Sequence, residues 1–553
     1  MSGLTINMPS GQPITDAYMY KTDPNVLKLF GYHWQEEGHW AARAEELWKS
    51  EAPRADRAAL AGTLEAYNRK HGASDAALAH IQELGDGALA VVGGQQAGLW
   101  TGPLLVLYKA VTIIQNAAMA REKLNRPVIP VFWIAGEDHD WEEAGHTYLV
   151  SGEPKLRKLE LKRPKGAKTS VSRSIISQSE WKQAIEELAA LLPDSEYKPD
   201  LLDRLCAFTD GSDTLSDTFA RLLAWLFGPY GLVVMDADDP AVRRLEAPMF
   251  ECLIRNNETL QTAYERSAAQ LEEHGYPAQA EIAPDGANLF LFGQGRGGDD
   301  DFSGDRMLLM RSGDQFGDRK GFVKLSTDEL LEVARKQPER LSNNVLTRPL
   351  MQDYLFPVLG TVLGPGEIAY WALTSDAFKE LGMRMPIIVP RQSFTFVDRT
   401  VQKYMERYSM TLDTVMHASE QHKSDWLSRQ DGLQPMDEAF DEIKSQLAAM
   451  YEPVLKSLAS YGQDIQALGE TNRSKVLEQL EFMKSRLYYE RSRRHDDALR
   501  QMERVQLQLW PQGKPQERVL NMIQLWNQTG LHWLESLLQK PHDNDSGHRV
   551  VYL

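Results

Sequence analysis

The sequence predicts an α/β protein with an open, mostly parallel sheet, followed by a long α-helical domain. Short apolar runs at 88–92, 128–135 and 231–235 have the length of buried strands, and each ends in glycine or acidic residues. The apolar residues from 104 to beyond 114 do not alternate and run too long for a strand, which favours a buried helix. From 397 onward, apolar residues recur at steps of three and four, a spacing typical of paired helices.

The turn after the first apolar run reads GGQQAGLWTGP. It lacks the spacing of a P-loop and of a dinucleotide fingerprint. A tight turn between strand and helix would need the glycines, but not the polar side chains, which must be satisfied near a strand end. We therefore favour a ligand site, because backbone N–H groups of such a turn can face an anion. The residues of this turn expected to contact substrate are Gly94, Gln95, Gln96 and Thr101.

The second apolar run ends in GEDHD, and ligands bind at the carboxyl ends of parallel strands. This loop could bind a metal, supply a general base or hold an amine, or it could be a solvated loop with a helix cap at Asp138 or Asp140. No second His or Cys group stands at ligand spacing, so we predict no metal. We expect catalytic roles for His139, as an acid/base or phosphate-binding group, and for Asp138 or Asp140 as its partner or an amine anchor. Glu137 is expected to contact substrate.

Two later stretches, SNNVLTRPLMQD and LGPGEIAYW, form the predicted second wall of the site. Arg348 stands among apolar residues, so it would need a carboxylate or phosphate ligand, or a structural salt bridge. Glu367 could anchor an amine, or it could only serve the charge preference of a helix N-terminus. We expect Arg348 and Arg391 to hold substrate carboxylates. The other residues predicted to contact substrate here are Asn343, Asn344, Gly366 and Tyr370.

The helical region carries an apolar seam from 440 to 468, with a predicted break at Gly469 before the pattern resumes at 476–487. Two such helices would form an antiparallel arm that buries its apolar stripe against a second copy, so we predict a homodimer. The arginine-rich stretch 486–504 fits a solvated helix face with i,i+4 ion pairs, and a nucleotide site is the alternative. The residues of that alternative are Tyr489, Arg491 and Arg494.

Composition excludes several classes of function. The chain has 553 residues, too many for one core, and a formal net charge of −17, which argues against nucleic acid or an anionic membrane as partner. No apolar run is long enough to span a bilayer, and the N-terminus does not look like a signal peptide. Only two cysteines are present, in no CxxC pair, which fits a reducing cytoplasm.

Five segments resemble the BshC family, the cysteine-adding enzymes of bacillithiol biosynthesis. They are VVGGQQAGLWTGPL, PVIPVFWIAGEDHDW, RLSNNVLTRPLMQDYLFP, LGPGEIAYW and MPIIVPR. The resemblance implies a Rossmann-like core similar to class I aminoacyl-tRNA synthetases and nucleotidyltransferases, with insertions like their connecting peptides and a coiled-coil dimerisation domain. It also implies that L-cysteine is joined to the amine of glucosaminyl-malate. The histidine of the HxGH-type motif and a KMSKS-type lysine loop of those enzymes have no counterpart here.

Amide formation from a free carboxylate is uphill in water, so we expect activation by ATP or another nucleotide, through an acyl-adenylate or an acyl-phosphate. A second hypothesis is a non-catalytic dimeric scaffold or metabolite-binding protein that keeps the core site. An oxidoreductase is disfavoured because the dinucleotide fingerprint is missing.

The predicted core comprises 1–148, 206–245 and 341–396, with insertions at 149–205 and 246–340, a coiled-coil domain at 397–510 and a terminal segment packing on the core at 511–553. Within these parts we expect an irregular arm at 1–30, strands at 287–292, 306–310 and 320–325, and one helix over 516–538.

Overall fold

The computed structural model describes residues 2–50, 52–295, 301–430, 434–540 and 547–553. The first segment of the chain contributes two strands of the central sheet and the helices that cover it. Residues 1–30, expected to be irregular, contain a strand and two helices, so that prediction was wrong. The elements are β1 (Ser2–Ile6), α1 (Pro13–Met19), α2 (Pro24–Phe30), α3 (Glu37–Lys49), α4 (Arg57–Lys70), α5 (Asp75–Gly85), β2 (Leu89–Gln95), α6 (Leu105–Leu124), β3 (Val128–Ile134), α7 (Trp141–Ala144) and β4 (His146–Val150).

The middle of the chain completes the sheet and carries both insertions. The elements are β5 (Leu156–Glu160), α8 (Gln178–Leu191), α9 (Lys198–Thr209), α10 (Leu215–Phe227), β6 (Val233–Asp236), α11 (Pro240–Arg255), α12 (Asn257–Glu273), β7 (Gly286–Phe292), β8 (Arg306–Ser312), β9 (Gln315–Asp318), β10 (Lys324–Ser326), α13 (Thr327–Lys336), β11 (Leu341–Asn343), α14 (Arg348–Leu355), β12 (Val358–Leu363), α15 (Pro365–Trp371), α16 (Ser375–Glu380), β13 (Ile387–Pro390) and β14 (Phe394–Val397). Of the strand expected at 320–325, only the end belongs to a strand, β10, because the residues before it form the turn of a hairpin between β9 and β10.

The central sheet has five parallel strands in the order β13-β12-β2-β3-β6. The chain passes from β2 outward to β6 and then returns to the other side of β2, so the strand order reverses between β2 and β12. This is the topology of a doubly wound sheet, and it confirms the predicted α/β core. All three apolar runs that predicted the sheet belong to it, and their side chains are buried on both faces because helices cover both.

Three smaller sheets surround the core. The second insertion forms an antiparallel sheet in the order β10-β9-β8-β7-β11, and β4 pairs with β5. Strand β1 pairs with the last strand, β15 (His548–Tyr552), which also pairs with β14. The two ends of the chain are therefore joined beside the core.

The last part of the chain is mostly helical, as predicted. Its helices are α17 (Arg399–Tyr408), α18 (Leu412–His417), α19 (Ser419–Gln430), α20 (Gln434–Ala459), α21 (Gln463–Arg494), α22 (Asp496–Leu509), α23 (Met522–Thr529) and α24 (His532–Gln539). Helices α20 and α21 form the long pair. The break predicted at Gly469 was wrong, because the chain turns at Gly462 with a φ of 116° and Gly469 lies inside α21. The single helix predicted over 516–538 is two helices, separated at Gly530 with a φ of 68°.

Candidate functional site

The point where the strand order reverses lies between the ends of β2 and β12. Open α/β sheets bind ligands in the crevice at such a point, outside the carboxyl ends of the strands. Strand β2 ends in Gly94-Gln95, and β12 ends just before Gly364, which opens α15. The glycine turn after β2 and the LGPGEIAYW stretch after β12 were predicted to form opposite walls of one site. They thus follow strands that are neighbours in the sheet.

A lysine that the sequence analysis missed joins these two walls. Lys109, on α6, is buried, and its Nζ donates to the Gly94 carbonyl at 2.7 Å, to Gln95 Oε1 at 2.9 Å and to a Glu367 carboxylate oxygen. Burial lowers the pKa of Lys109 to about 8, against the opposing effect of Glu367. The signal was available, since Lys109 is the only charged residue in the apolar stretch of α6 from 104 to 114.

Arg348 lies against the glycine turn. A Cβ added at Gly94 would stand 2.2 Å from an Arg348 terminal nitrogen and 2.6 Å from the Trp133 carbonyl oxygen, so only glycine leaves room for the guanidinium. The guanidinium carbon is 5.9 Å from the Trp133 ring centre. Its Nε is buried without a hydrogen-bond partner, and among the described residues no carboxylate forms an ion pair with it. Such a group is suited to bind an anionic ligand.

Glu137 and Asn343 supply further unpaired polar groups at the end of β3. Glu137 is 4% exposed, its Oε2 has no hydrogen-bond partner among the described residues, and Arg243 stands 3.7 Å away. Burial raises the pKa of Glu137. Asn343, on β11, is 3% exposed, and both atoms of its side-chain amide lack partners within the described part of the chain. Buried polar groups normally have partners, so both side chains are candidates to contact a ligand.

His139 and Asp138 lie at the rim of the same region, each partly exposed. Arg306, on β8, approaches both: its guanidinium is 3.3 Å from His139 Nδ1 and 3.6 Å from Asp138 Oδ1. A guanidinium only donates, so Nδ1 accepts and the neutral ring carries its proton on Nε2. Burial, and then Arg306, lower the pKa of His139, which keeps the imidazole neutral at pH 7.

Arg306 was missed as a site residue because it lies in the second insertion, 167 positions from His139. It also donates to the Asn343 carbonyl at 2.9 Å and to Ser342 Oγ at 3.0 Å, and its guanidinium stacks 3.8 Å from the Phe290 ring centre. The insertion is therefore part of the site's wall.

Several predicted site residues have structural partners. Asp140 caps α7 by accepting from the Glu143 N–H at 3.1 Å, the alternative weighed from the sequence. Asn344 accepts from two N–H groups of its own turn. Arg391 is buried in an ion pair with Glu517 at 2.6 Å. Their roles in substrate binding stay predictions.

Three other residues predicted to contact substrate differ in their surroundings. Gly366 is exposed, and nothing lies within 4 Å of a Cβ built on it. Tyr370 is half-buried, and burial followed by the Glu367 charge raises its pKa to about 12. Gln96 donates to the Asp140 carbonyl at 3.0 Å, which ties the glycine turn to the GEDHD loop.

The third strand end, at β6, is a buried charge network that the sequence analysis did not assign. Asp236 accepts from Ser172 Oγ at 2.5 Å, and burial, then the Asp238 charge, raise its pKa to about 8. Asp238 forms a buried ion pair with Arg173 at 2.7 Å. These bonds fasten the first insertion to the core sheet, which is a structural role.

The alternative nucleotide residues lie on α21, in the coiled coil. Tyr489 and Arg494 are exposed, and the Arg491 side chain lies outside the described residues. None of the helices in the described ranges combines the length and apolar character that a bilayer crossing requires. Within those same ranges, no three His, Cys, Asp or Glu side chains are grouped to hold a metal ion.

Family profiles match the chain from end to end. The family described as "Bacillithiol biosynthesis BshC, N-terminal Rossmann-like domain" matches residues 1–392, and "Bacillithiol biosynthesis BshC, C-terminal coiled-coil domain" matches residues 394–553. The chain belongs to the BshC family. This confirms the resemblance seen in the five sequence segments, the Rossmann-like core and the coiled-coil domain.

Relatives cover nearly the whole chain. A protein of Heliobacterium modesticaldum is 34% identical over 539 residues, 96% of each chain. One of Geobacillus thermodenitrificans is 37% identical over 507 residues, 90% of this chain and 91% of the relative. One of Bacillus anthracis is 31% identical over 550 residues, 99% of each chain. All three carry the name "Putative cysteine ligase BshC".

Proposed function

We propose that this protein is a ligase of bacillithiol biosynthesis that joins the carboxyl group of L-cysteine to the amine of glucosaminyl-malate. Family membership supports the substrate pair. The observation that carries this proposal is a set of buried polar groups near the switch point that have no hydrogen-bond partner among the described residues: Arg348 Nε, Glu137 Oε2 and the Asn343 amide. A protein that only served as a scaffold would gain nothing from leaving these groups without partners, because each one destabilises the fold.

The reaction needs an activated carboxyl group. We propose ATP or another nucleoside triphosphate as co-substrate. A carboxylate oxygen of cysteine attacks the α-phosphorus and expels pyrophosphate, giving an acyl-adenylate, or it attacks the γ-phosphorus and expels the nucleoside diphosphate, giving an acyl-phosphate. The amine nitrogen then attacks the acyl carbon, the C–N bond forms, and the carboxylate oxygen leaves with the phosphoryl group. The attacking nitrogen then loses a proton. Within the GEDHD loop, we propose the part-exposed Asp138 carboxylate as the group that accepts this proton. No protein-bound metal enters this scheme.

The side chains divide by charge. Arg348 suits the malyl carboxylate, because no carboxylate in the described part of the chain lies within ion-pair distance of its guanidinium and its Nε has no hydrogen-bond partner there. Of the two carboxylates expected to anchor the amine, Glu367 is already paired with Lys109, so the part-exposed Asp138 is the better candidate. Glu137 is buried in an ion pair with Arg243. His139 presents Nε2–H and so suits hydrogen bonding to the oxygen that gains charge when the amine attacks.

We also propose a homodimer through the α20–α21 pair, working in the cytoplasm. The pair exposes large apolar side chains along its length, which a single copy leaves in water. They include Ile443, Met450, Val454, Ile465, Leu468, Phe482 and Met483, each at least 41% exposed.

Mass spectrometry tests the function. Purified protein with cysteine, glucosaminyl-malate and ATP should yield a product whose mass equals that of the two substrates less one water. Absence of this adduct under every nucleotide condition, together with a melting-temperature shift caused by the substrates, would favour the non-catalytic binding protein instead.

A further inference from the structure

A cavity of about 220 Å³ lies at the N-terminus of α6, beside the glycine turn. Gln95, Gln96, Thr101 and the first residues of the 20-residue helix α6 line it. Because β2 leads into this turn, the cavity opens at the switch point of the sheet. The N–H groups of Leu104 and Val106 already donate to the carbonyls of Leu520 and Pro103, so α6 contributes the positive end of its dipole, which favours a negatively charged ligand.

The turn that precedes α6 is held in a strained form. The φ angles of Trp100 and Thr101 are 47° and 77°, and residues other than glycine rarely adopt such positive values. Asn521 holds it there, because its Nδ2 donates to the carbonyls of Leu99, Trp100 and Gly102. Strain of this kind persists where the surrounding structure fixes it and is concentrated at functional sites.

Thr101 is the second indication of a ligand. The residue is fully buried, yet it lines the cavity, and its hydroxyl has no hydrogen-bond partner among the described residues. Since a buried hydroxyl without a partner is costly, a ligand atom that accepts from Thr101 Oγ1 would remove that cost.

Two cations from the C-terminal segment complete the lining. Lys514 and Arg518 are exposed at the cavity, and no described carboxylate forms an ion pair with either. Arg518 also lines a neighbouring cavity of about 90 Å³, formed by the ends of β12 and β13, so it stands across the switch point. One acid, Glu143, lines the larger cavity as well, so the cavity has one carboxylate beside its two cations.

We infer that this cavity is a phosphoryl-binding site, in which Lys514, Arg518 and Thr101 Oγ1 hold the oxygens of a phosphate group beside the positive end of the α6 dipole. Two cations, one hydroxyl donor and a helix N-terminus match the several charged oxygens of a phosphoryl group better than a single carboxylate. That this phosphoryl group belongs to the co-substrate of amide formation rests on the proposed function, whereas the binding itself does not.

Calorimetric titration of the full-length protein with pyrophosphate, at fixed ionic strength, tests the site. Lys514→Met and Arg518→Met should each weaken binding about tenfold, the loss of one charge-assisted contact. Thr101→Val, which keeps the side-chain shape, should weaken it about threefold, and the melting temperature of the free protein should be raised because the unpartnered hydroxyl is removed. Lys182→Met removes an exposed lysine on α8 and is the matched charge control; it should bind as the wild type does.

Equal binding by wild type, Lys514→Met and Arg518→Met would overturn the inference, as would the absence of pyrophosphate binding. Titration with malate tests whether the cavity prefers a carboxylate. Tighter binding of malate than of pyrophosphate at this cavity would also overturn the inference. The proposed function and the proposed phosphoryl site can be refuted separately. If the protein forms the cysteinyl adduct but does not bind pyrophosphate, only the phosphoryl site is refuted. If it binds pyrophosphate, loses that binding in the two cation variants and forms no adduct, only the ligase function is refuted.

Discussion

Replacing Lys109 by Met should change how stability depends on pH in a definite direction. Lys109 is buried, and burial outweighs the Glu367 charge, so that its pKa falls from 10.5 to about 8. In the unfolded chain the lysine is in water and keeps its ordinary pKa of about 10.4. Between these two values the unfolded state binds nearly one proton more than the folded state, so folding becomes more favourable as pH rises.

The size of the effect follows from the two pKa values. At pH 7 the ammonium is charged in both states and the linkage contribution is near zero. At pH 9.5 the folded protein has mostly lost the proton and the unfolded chain has not, which gives about 2 kcal/mol. We expect the free energy of unfolding of the wild type to rise by this amount relative to Lys109→Met between pH 7 and 9.5.

Urea unfolding of the wild type and of Lys109→Met at pH 7 and at pH 9.5 measures this change. The part of the stability loss that does not depend on pH is the same at both pH values, so it cancels when the two differences are compared. Lys123→Met, which removes an exposed lysine near the end of the same helix, is the control and should show a constant difference from the wild type. If the difference between wild type and Lys109→Met stays flat with pH, or changes in the opposite direction, then Lys109 is not a desolvated cation fixed between the two strand ends.

Three further outcomes follow from the site and the arm. Gly94→Ala should lower both stability and turnover, because its Cβ would meet a guanidinium nitrogen at 2.2 Å. Gly152→Ala, with open space around it and no predicted role in the site, is the control and should change neither; urea unfolding and product formation measure both. His139→Ala should lower kcat about 100-fold while the free energy of unfolding falls by less than about 1 kcal/mol, and equal losses of kcat and folded protein would refute a catalytic role. Leu468→Asp, at a position 65% exposed on α21, should turn a dimer into a monomer in analytical ultracentrifugation, and an unchanged sedimentation coefficient would place the dimer contact elsewhere.

The strand ends could be predicted from sequence because the signal is local. A buried parallel strand is apolar along most of its length, so GGQQ and GEDHD show roughly where β2 and β3 end. The match is not exact for β2, which continues through Gly93 and Gly94 to Gln95. Parallel strands bring these ends to one edge, and the structure indeed places Gly94, Glu137 and Arg348 close together there. Topology alone accounts for this success.

Side-chain partners could not be predicted in the same way. Lys109 and Glu367 are 258 positions apart, and Arg391 and Glu517 are 126 apart. Nothing in the spacing shows which cation meets which carboxylate, so the sequence offered Glu367 and Arg391 as free groups when both are paired. Arg306 reaches the site only because the second insertion folds back on the GEDHD loop.

Labelling the carboxylate of cysteine with ¹⁸O tests the proposed ligation most directly. The labelled cysteine is incubated with the protein, glucosaminyl-malate and ATP, and all products are analysed by mass spectrometry. We predict a cysteinyl amide that retains one label, with the second label in the phosphate or AMP that is released. An amide whose lost label appears only in water, or no amide at all, would contradict activation of cysteine by phosphoryl or adenylyl transfer at this site.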